Sequence, residues 1–446
     1  MWFRRSSVRD RSSTQVGETG SPFFYRLYPA ASRKNRNILY KELITIDYEF
    51  LATYFPFFLE ELSFLRKDCI DILSNHRRIL FRIFNKMITI AMKKSVFFLL
   101  FLTIHLNGQN QQEPDIFNLS DGPYVFIKEK KLIEKTISKG IVHSKILGNS
   151  SYDTIFYPEK STFTTKRKIA ALSDIHGQYD LAVKLLKNNK IIDSKLDWDF
   201  GKGHLVIVGD VFDRGDKVNE ILWLIYKLEI QAKNKGGQVH FILGNHEYMV
   251  LQKDLRYINE KYKLSSKLIG LEYDELYSNQ TILGRWLRSK STIIKINNNV
   301  FVHGGVSKNF IIKNGVDFDR LNLIMRKHID FPKKDMKSMH LYDLYYGQNS
   351  LIWYRGYFKR YFDRYKENLT EKDISKILKL ISSDHIVVGH CSHNEIIQLY
   401  NSKVFGVDSS IKKGKYGEVL FIKKKRFFKG NLDGKLIKLY NSSNNK

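Results

Sequence analysis

From Lys166 onward the chain alternates short unbroken apolar runs with longer stretches in which apolar residues return every three or four positions. RKIAALS (167–173), HLVIVGD (204–210) and QVHFILGN (238–245) are runs of the first kind. Runs this short, bounded by polar residues, predict strands covered on both faces. YDLAVKLLKNN (179–189) and KVNEILWLIYKLEIQAKNKG (217–236) lie between them with helical spacing, the second ending near Gly236. This order predicts an α/β core whose functional residues gather past the strand ends. Further on, STIIKINNNVFVHGG (291–305) predicts two strands about an asparagine turn, and DFDRLNLIMRKHI (317–329) a helix. LTEKDISKILKLI (369–381) predicts a helix capped by Thr370, with Asp373 three positions on. DHIVVGH (384–390) reads as a strand, while EIIQLYNSKVFGVDSS (395–410) and GEVLFIKKKRFF (417–428) supply further strands and a hairpin. Residues 248–292 read as helices and loops. Residues 109–165 read as a polar lead-in with β-like pieces such as GPYVFIKEK (122–130). The second half is richer in sheet than a doubly wound fold, so two β-rich halves with outer helices are expected.

The N-terminal region has a different character. MKKSVFFLLFLTIHLNGQNQQ, from Met92, joins a basic pair, an apolar run over Ser95–Leu106 and a polar segment with Gly108. That is the architecture of a secretion signal cut after Gly108, and the run is short for a membrane span. An uncleaved membrane tether and a buried element are the alternatives. Because such signals begin chains, residues 1–91 are expected to be an upstream extension or the product of a start site placed too early. A genuine N-terminal extension with its own helices is the competing reading. The expected organisation is a signal at 92–108, a lead-in at 109–165, one domain at 166–430 and a C-terminal tail at 431–446. The mature protein, from Gln109, is expected to be periplasmic or secreted, without a membrane span.

Composition narrows the partners. The chain has 74 Lys and Arg against 46 Asp and Glu, a net +28. Residues 1–108 contain 17 and 9 of these, which leaves +20 on the mature part. A local run of cations stands in FIKKKRFFKG (421–430). A basic surface suits phosphate-bearing partners or anionic membranes. No zinc-finger, helix-turn-helix or RNA-binding aromatic motif accompanies it, so no specific nucleic-acid partner is expected. Cys69 and Cys391 form neither a disulfide framework nor a CxxC site. Nothing in the sequence indicates an oligomeric state.

Five strand ends carry chemistry. They are SDIHG (173–177), GDVFDRG (209–215), GNHE (244–247), VHGG (302–305) and VVGH (387–390). Most place a ligand-type side chain beside glycine, which permits a tight turn and close approach to an ion. Together Asp174, His176, Asp210, Asn245, His303 and His390 offer two carboxylates, an amide and three imidazoles. His246, next to a ligand candidate, is suited to proton transfer.

These motifs, in this order, resemble the phosphoprotein-phosphatase branch of the calcineurin-like metallophosphoesterases. LIWYRGYF (351–358) further resembles the Shewanella-like, bacterial-type phosphatase group. The resemblance covers roughly residues 166–425 and departs at Ser173, where the family usually has glycine. It implies two packed mixed β-sheets flanked by helices, an αββα sandwich. It implies two divalent metal ions, manganese first, with iron or zinc as alternatives. Asp174 and His176 would bind one, Asp210 would bridge both, and Asn245, His303 and His390 would complete the other. The implied reaction is hydrolysis of a phosphate monoester by in-line attack of a metal-bridging hydroxide. The implied substrate class is serine, threonine or tyrosine phosphoprotein. A small-molecule or dinucleoside polyphosphate is the alternative substrate, and a non-catalytic binding scaffold the alternative role.

Arg214 and Arg355 would hold the phosphate, and His246, oriented by Asp213, would protonate the leaving group. Glu247 is expected to be structural, His240 a strand side chain and Cys391 a buried filler. Asp408 is expected beside His390, with His393 the residue most easily confused with the ligand. Trp353, Tyr354 and Tyr357 could wall the substrate cleft or sit in the core.

Overall fold

A computed structural model describes residues 116–439. Residues 1–115, with the segment read as a secretion signal, and residues 440–446 lie outside the described residues. Among the described residues no helix is long and apolar enough to cross a membrane.

Fifteen strands are described: β1 (Asp121–Lys128), β2 (Lys131–Ser138), β3 (Ile141–Leu147), β4 (Thr162–Phe163), β5 (Ile169–Leu172), β6 (His204–Val208), β7 (Gln238–Ile242), β8 (Ile293–Ile296), β9 (Asn299–Val302), β10 (His385–Val388), β11 (Ile397–Leu399), β12 (Val404–Gly406), β13 (Val419–Lys423), β14 (Arg426–Gly430) and β15 (Leu436–Lys438). The first large sheet runs β15-β14-β13-β5-β6-β7, and the second β11-β12-β10-β9-β8-β4. Both are mixed. In the first, β5, β6 and β7 are parallel while β13 runs antiparallel to β5. In the second, β9, β10 and β12 are parallel, β8 runs antiparallel to β9 and parallel to β4, and β11 runs antiparallel to β12.

The unbroken apolar runs follow from a sheet buried on both faces, because successive strand residues point to opposite sides. Ile169 and Ala171 of β5 and Val206 and Val208 of β6 pack with Ile294, Phe301, Val387 and Phe405 of the second sheet. Their neighbours Ala170, Leu172, Leu205 and Ile207 turn outward, into one core with Leu185 and Ile221 of the helices Tyr179–Asn188 and Val218–Asn234. On the second sheet Val300, Val302, Ile386 and Val388 turn outward to Leu321, Ile374 and Ile377 of the helices Phe318–Lys327 and Glu371–Leu380. The layers are therefore helix, sheet, sheet, helix. Each aliphatic side chain buried this way contributes about 1.5–3 kcal/mol. The Glu371–Leu380 helix begins as expected: Thr370 Oγ1 accepts from the Asp373 N–H, and the Asp373 carboxylate accepts from the Thr370 N–H.

Two regions are more ordered in strand than their composition indicates. Residues 121–147, read as a lead-in, form a three-stranded antiparallel sheet, β1-β2-β3. Tyr124, Phe126 and Leu132 join the core on the outer face of the first large sheet. Asn219 and Trp223 side chains donate to the Pro123 carbonyl, which ties this sheet to the long helix. At the other end β15, drawn from the stretch read as a tail, pairs antiparallel with β14.

Candidate active site

The chemical residues sit where β5, β6, β7, β9 and β10 stop. At these ends the backbone turns through left-handed conformations: φ is 55° at Asp174, 46° at His176, 59° at Asp210, 72° at Asp213, 70° at Arg214 and 66° at His390. Non-glycine residues take such values rarely and at a cost, and they cluster where the surroundings enforce them for function. Here the enforcement is visible. The Asp174 N–H donates to Gly209 O, and the His176 N–H to Asp210 O, both at 3.0 Å. The Gly215 N–H donates back to His176 O, also at 3.0 Å. The loops after β5 and β6 are thus laced together. Two glycines are sterically required. A Cβ on Gly244 would stand 2.3 Å from Asp210 Oδ1, and one on Gly389 would stand 1.9 Å from Ser173 Oγ. Ser173 fills space beside Asp174 and lies within hydrogen-bond reach of its Oδ2.

Glu247 braces the arrangement. Its buried carboxylate accepts the N–H groups of Asp210 at 2.9 Å, Val211 at 2.7 Å, Phe212 at 3.2 Å and Gly244 at 2.7 Å. The structural reading of Glu247 is the one its contacts support, although the sequence did not reveal which backbone groups it holds.

Asp210 is the centre. Its Oδ2 lies 3.1 Å from His303 Nε2, 3.6 Å from His176 Nε2 and 3.9 Å from His246 Nε2. Asn245 Oδ1 is 3.0 Å from His303 Nε2. The tautomers are set by the backbone: His176 Nδ1 donates to Phe212 O at 2.6 Å and His303 Nδ1 to Val208 O at 2.7 Å, so in the neutral ring each Nε2 presents a lone pair to the site. The buried Nε2 atoms of His176 and His390 have no hydrogen-bond partner among the protein groups. Unpaired buried nitrogens are costly unless something fills the space between them. Among the described residues two groups have donor atoms close enough to share a cation: Asp210, His303 and His390, and His176, Asp210 and His246. The first brings together three of the four residues expected at one ion, the fourth being Asn245.

The second group contains His246 where Asp174 was expected. Asp174 Oδ1 is nonetheless 3.9 Å from His176 Nε2, and its Oδ2 is engaged by the His390 N–H at 2.9 Å. Arg214 Nη2 stands 3.5 Å from His246 Nε2, where a guanidinium would repel a cation bound to that nitrogen. Charge therefore favours Asp174 over His246 as a neighbour of His176 at a cation. His246 Nδ1 forms a very short contact with the buried Asp213 carboxylate.

The electrostatics are unbalanced without cations. Burial, reinforced by Asp408, pushes the Asp174 carboxyl well above the usual range. Burial would do the same to Asp210, but His303 and His246 outweigh it and hold that carboxyl well below. Burial opposes charge on His303, yet Asp210 raises it to about 9. His176 and His390 are driven well below the ordinary value by burial. Imidazole and carboxylate donors that share one buried space suit Mn²⁺, Fe or Zn²⁺, whose charge would satisfy the carboxylates and the open nitrogens together.

Around this centre the remaining residues divide. Arg214 is exposed at the rim. Arg355 is half-buried with an unpartnered Nε, its guanidinium over the Trp353 and Tyr361 rings. Trp353, also half-buried, meets the His390 ring edge-on at 5.5 Å and walls the site, whereas Tyr354 and Tyr357 are core. Asp408 accepts from Ser392 Oγ at 2.7 Å and from the Ser410 N–H at 3.0 Å. Cys391 is buried, which pushes its thiol up to about 12. His393 stacks on Phe358 and belongs to neither metal-type group. Two neighbours were not singled out from sequence. Lys412 Nζ stands 4.0 Å from Asp174 Oδ1, and the Tyr257 ring lies 5.5 Å from His246. Neither is adjacent to a motif, so only folding brings them in.

A family model described as calcineurin-like phosphoesterase matches residues 167–412. Shewanella-like protein phosphatase 1 of Plasmodium berghei (strain Anka) is 26% identical over 323 residues, which cover 72% of this chain and 82% of that protein. Shewanella-like protein phosphatase 2 of Arabidopsis thaliana is 25% identical over 304 residues, covering 57% and 74%. Among solved structures, a cold-active protein tyrosine phosphatase determined at 1.1 Å is 40% identical with a TM-score of 0.68, covering 73% of this chain and 99% of its own. The cold-active protein-tyrosine phosphatase of a psychrophilic Shewanella species is 39% identical, with a TM-score of 0.67. With the strand-end residues gathered as described, these likenesses establish that the chain belongs to the calcineurin-like phosphoesterases and is a metal-dependent phosphatase.

Proposed function

We propose that this phosphatase is a two-metal phosphomonoesterase acting on phosphoproteins, with phosphotyrosine, phosphoserine and phosphothreonine as the side chains cleaved. One observation carries the two-metal reading: a single carboxylate, Asp210, lies close to His176 in one group of possible ligands and to His303 and His390 in another. Asp174, His176 and Asp210 would hold one cation, and Asp210, Asn245, His303 and His390 the other. Bound there, two divalent cations, Mn²⁺ first and Fe or Zn²⁺ as alternatives, would supply an acidified water and neutralise phosphoryl charge. Arg214, 3.5 Å from His246 Nε2, and Arg355, near enough to His390 to oppose charge on it, would present forked donors to the phosphate oxygens. His246 would pass a proton to the leaving oxygen, with Asp213 against Nδ1 keeping the ring oriented.

The protein substrate class rests on relatives described as protein phosphatases and, at 40% identity, as a protein tyrosine phosphatase. The test is a panel of phosphopeptides, nucleotides and dinucleoside polyphosphates given to the Mn²⁺-loaded protein, with an aryl phosphate as reference. Hydrolysis of phosphopeptides that chelation abolishes is the expected result. Far faster cleavage of diadenosine polyphosphates than of every phosphopeptide would reject the protein-phosphatase reading. Loss of all turnover with Mn²⁺, Fe²⁺, Co²⁺ and Zn²⁺ in folded protein would reject the two-metal mechanism.

The address proposed from the sequence is periplasmic or secreted, on the basic pair Lys93–Lys94 and the apolar run that follows. N-terminal sequencing of protein from its native host should find Gln109 at or near the start, and an intact Met1 in the cytoplasmic fraction would overturn it.

A further inference from the structure

The run FIKKKRFFKG has no part in the site just described, yet the fold does not leave it as a scattered basic surface. β5 starts at Ile169, just after Lys166, Arg167 and Lys168. β6 starts at His204, just after Lys202, and pairs His204 with Ile169. β13 runs the opposite way, pairs Ile422 with Ile169, and so ends at Lys423 on the same edge. Three segments far apart in sequence therefore deliver Lys166, Arg167, Lys168, Lys202, Lys423 and Lys424 to the rim of one cavity of about 500 Å³. This edge is the reverse of the catalytic one. From Ile169 to Asp174 an extended chain spans roughly 16 Å, so one small ligand cannot touch both ends.

Several lysines elsewhere on the fold meet carboxylates: Lys261 reaches Asp121 at 3.2 Å, Lys290 reaches Glu229 at 2.7 Å and Lys333 reaches Asp254 at 2.7 Å. Among the described residues none of the six cavity cations has a carboxylate within ion-pair distance, although Asp199 also lines the cavity. Lys168 lies with its Nζ 3.9 Å above the Phe200 ring, partly removed from water. Its ammonium is held below the ordinary value, first by burial and then by repulsion from Lys423. The fold thus gathers like charges into a concave site and, with Asp199 the one carboxylate lining it, leaves most of their charge uncompensated.

We propose that this cavity binds an oligophosphate, an anion carrying three or more closely spaced phosphate charges. Six cations against one carboxylate exceed what a single phosphate dianion can neutralise. The volume falls within the roughly 300–1,000 Å³ of small-ligand sites. Lysine and arginine are the side chains suited to phosphate oxygens, and such binding weakens as salt screens it. A soluble oligophosphate and a phosphorylated lipid headgroup present the same chemistry to the cavity.

The test uses the full chain stripped of metal by a chelator, so that the catalytic end cannot bind the probe through a cation. Sodium tripolyphosphate is titrated by calorimetry at low and high salt, and vesicles with and without a bisphosphorylated lipid are tested by co-sedimentation. The triple variant Lys168→Gln, Lys423→Gln, Lys424→Gln should bind at least about tenfold more weakly, the effect of losing one charge-assisted hydrogen bond. The corresponding arginine triple should retain binding, and His390→Asn should leave it unchanged. The metal-loaded glutamine triple should hydrolyse an aryl phosphate as the parent does, which also shows that it folds. Binding of tripolyphosphate assigns the site to soluble oligophosphate, and binding of the lipid vesicles alone assigns it to a headgroup. The proposal is overturned if neither probe binds at low salt, if the glutamine triple binds as tightly as the parent, or if His390→Asn abolishes binding. None of these outcomes depends on the two-metal reading.

Discussion

Strands β6 and β7 hold one buried histidine pair along their length and support a different cluster past their ends. At the start of β6 and the middle of β7, His204 Nδ1 lies 3.0 Å from His240 Nε2 and the rings stack at 15°. Burial lowers both below the ordinary value, His240 strongly. The two rings are bonded to each other, and burial disfavours charge on both. Past the ends of the same strands, Asp210 collects His176, His246 and His303, and two histidines keep open Nε2 atoms. Burial is common to both places. What distinguishes the second is left-handed backbone at Asp174, His176 and Asp210, a shared carboxylate and nitrogens that no protein group satisfies. A regular strand cannot aim successive side chains at one point, because they alternate between faces; a sharp loop at its end can.

Asp210→Asn should have the largest effect. Bound metal should fall and turnover drop by more than about 100-fold, beyond the 10–100-fold typical of residues that only support ligands. His240→Gln should keep metal content and activity within a few-fold. Metal analysis and steady-state rates on both variants check the contrast, and equal loss in the two would erase it.

His246→Asn should separate proton transfer from metal binding. Metal content should persist, while esters with poor leaving groups slow by about 10²–10⁴ and activated aryl phosphates by much less. A uniform loss across leaving groups, with metals retained, would remove the acid role.

The pH response follows from His303. Its metal-free value, about 9, lies above the ordinary 6.5. A group raised on folding stabilises fully below its unfolded value and loses that contribution as pH rises through the folded one. Asp174, raised by burial, acts with the same sign, since the fold holds a proton that the unfolded chain gives up. Chelated protein should therefore lose stability between about pH 6.5 and 9. Loading by limiting Mn²⁺ should improve over the same interval, because the His303 proton must leave before the nitrogen can bind a cation. Thermal unfolding with and without Mn²⁺ reads both trends, and a chelated protein that gained stability across this window would contradict the pairing of His303 with Asp210.

Tyr354→Phe should do least. The Tyr354 hydroxyl is buried without a partner, so its removal should leave stability within about 0.5 kcal/mol or raise it slightly. A large loss of activity would mean that this tyrosine, and not Trp353 alone, faces the substrate.

The sequence by itself determined the strands and the chemistry at their ends. Each apolar run and the polar group that stops it are local, so SDIHG, GDVFDRG, GNHE, VHGG and VVGH stand in the chain as they stand in the fold. The Thr370 cap and the asparagine turn before Asn299 were readable for the same reason. Tertiary structure decided what depends on partners distant in sequence. It placed β13 beside β5, built β1–β3 into a sheet and drew β15 onto an edge. It separated Trp353, which faces the site, from Tyr354 and Tyr357, which face the core. It set the Glu247 carboxylate on four backbone donors and brought Lys412 to Asp174. It also converged Lys166–Lys168, Lys202 and Lys423–Lys424 on one cavity. Strand pairing between distant segments is chosen by the burial of whole faces, a sum over many side chains that no single stretch of sequence contains.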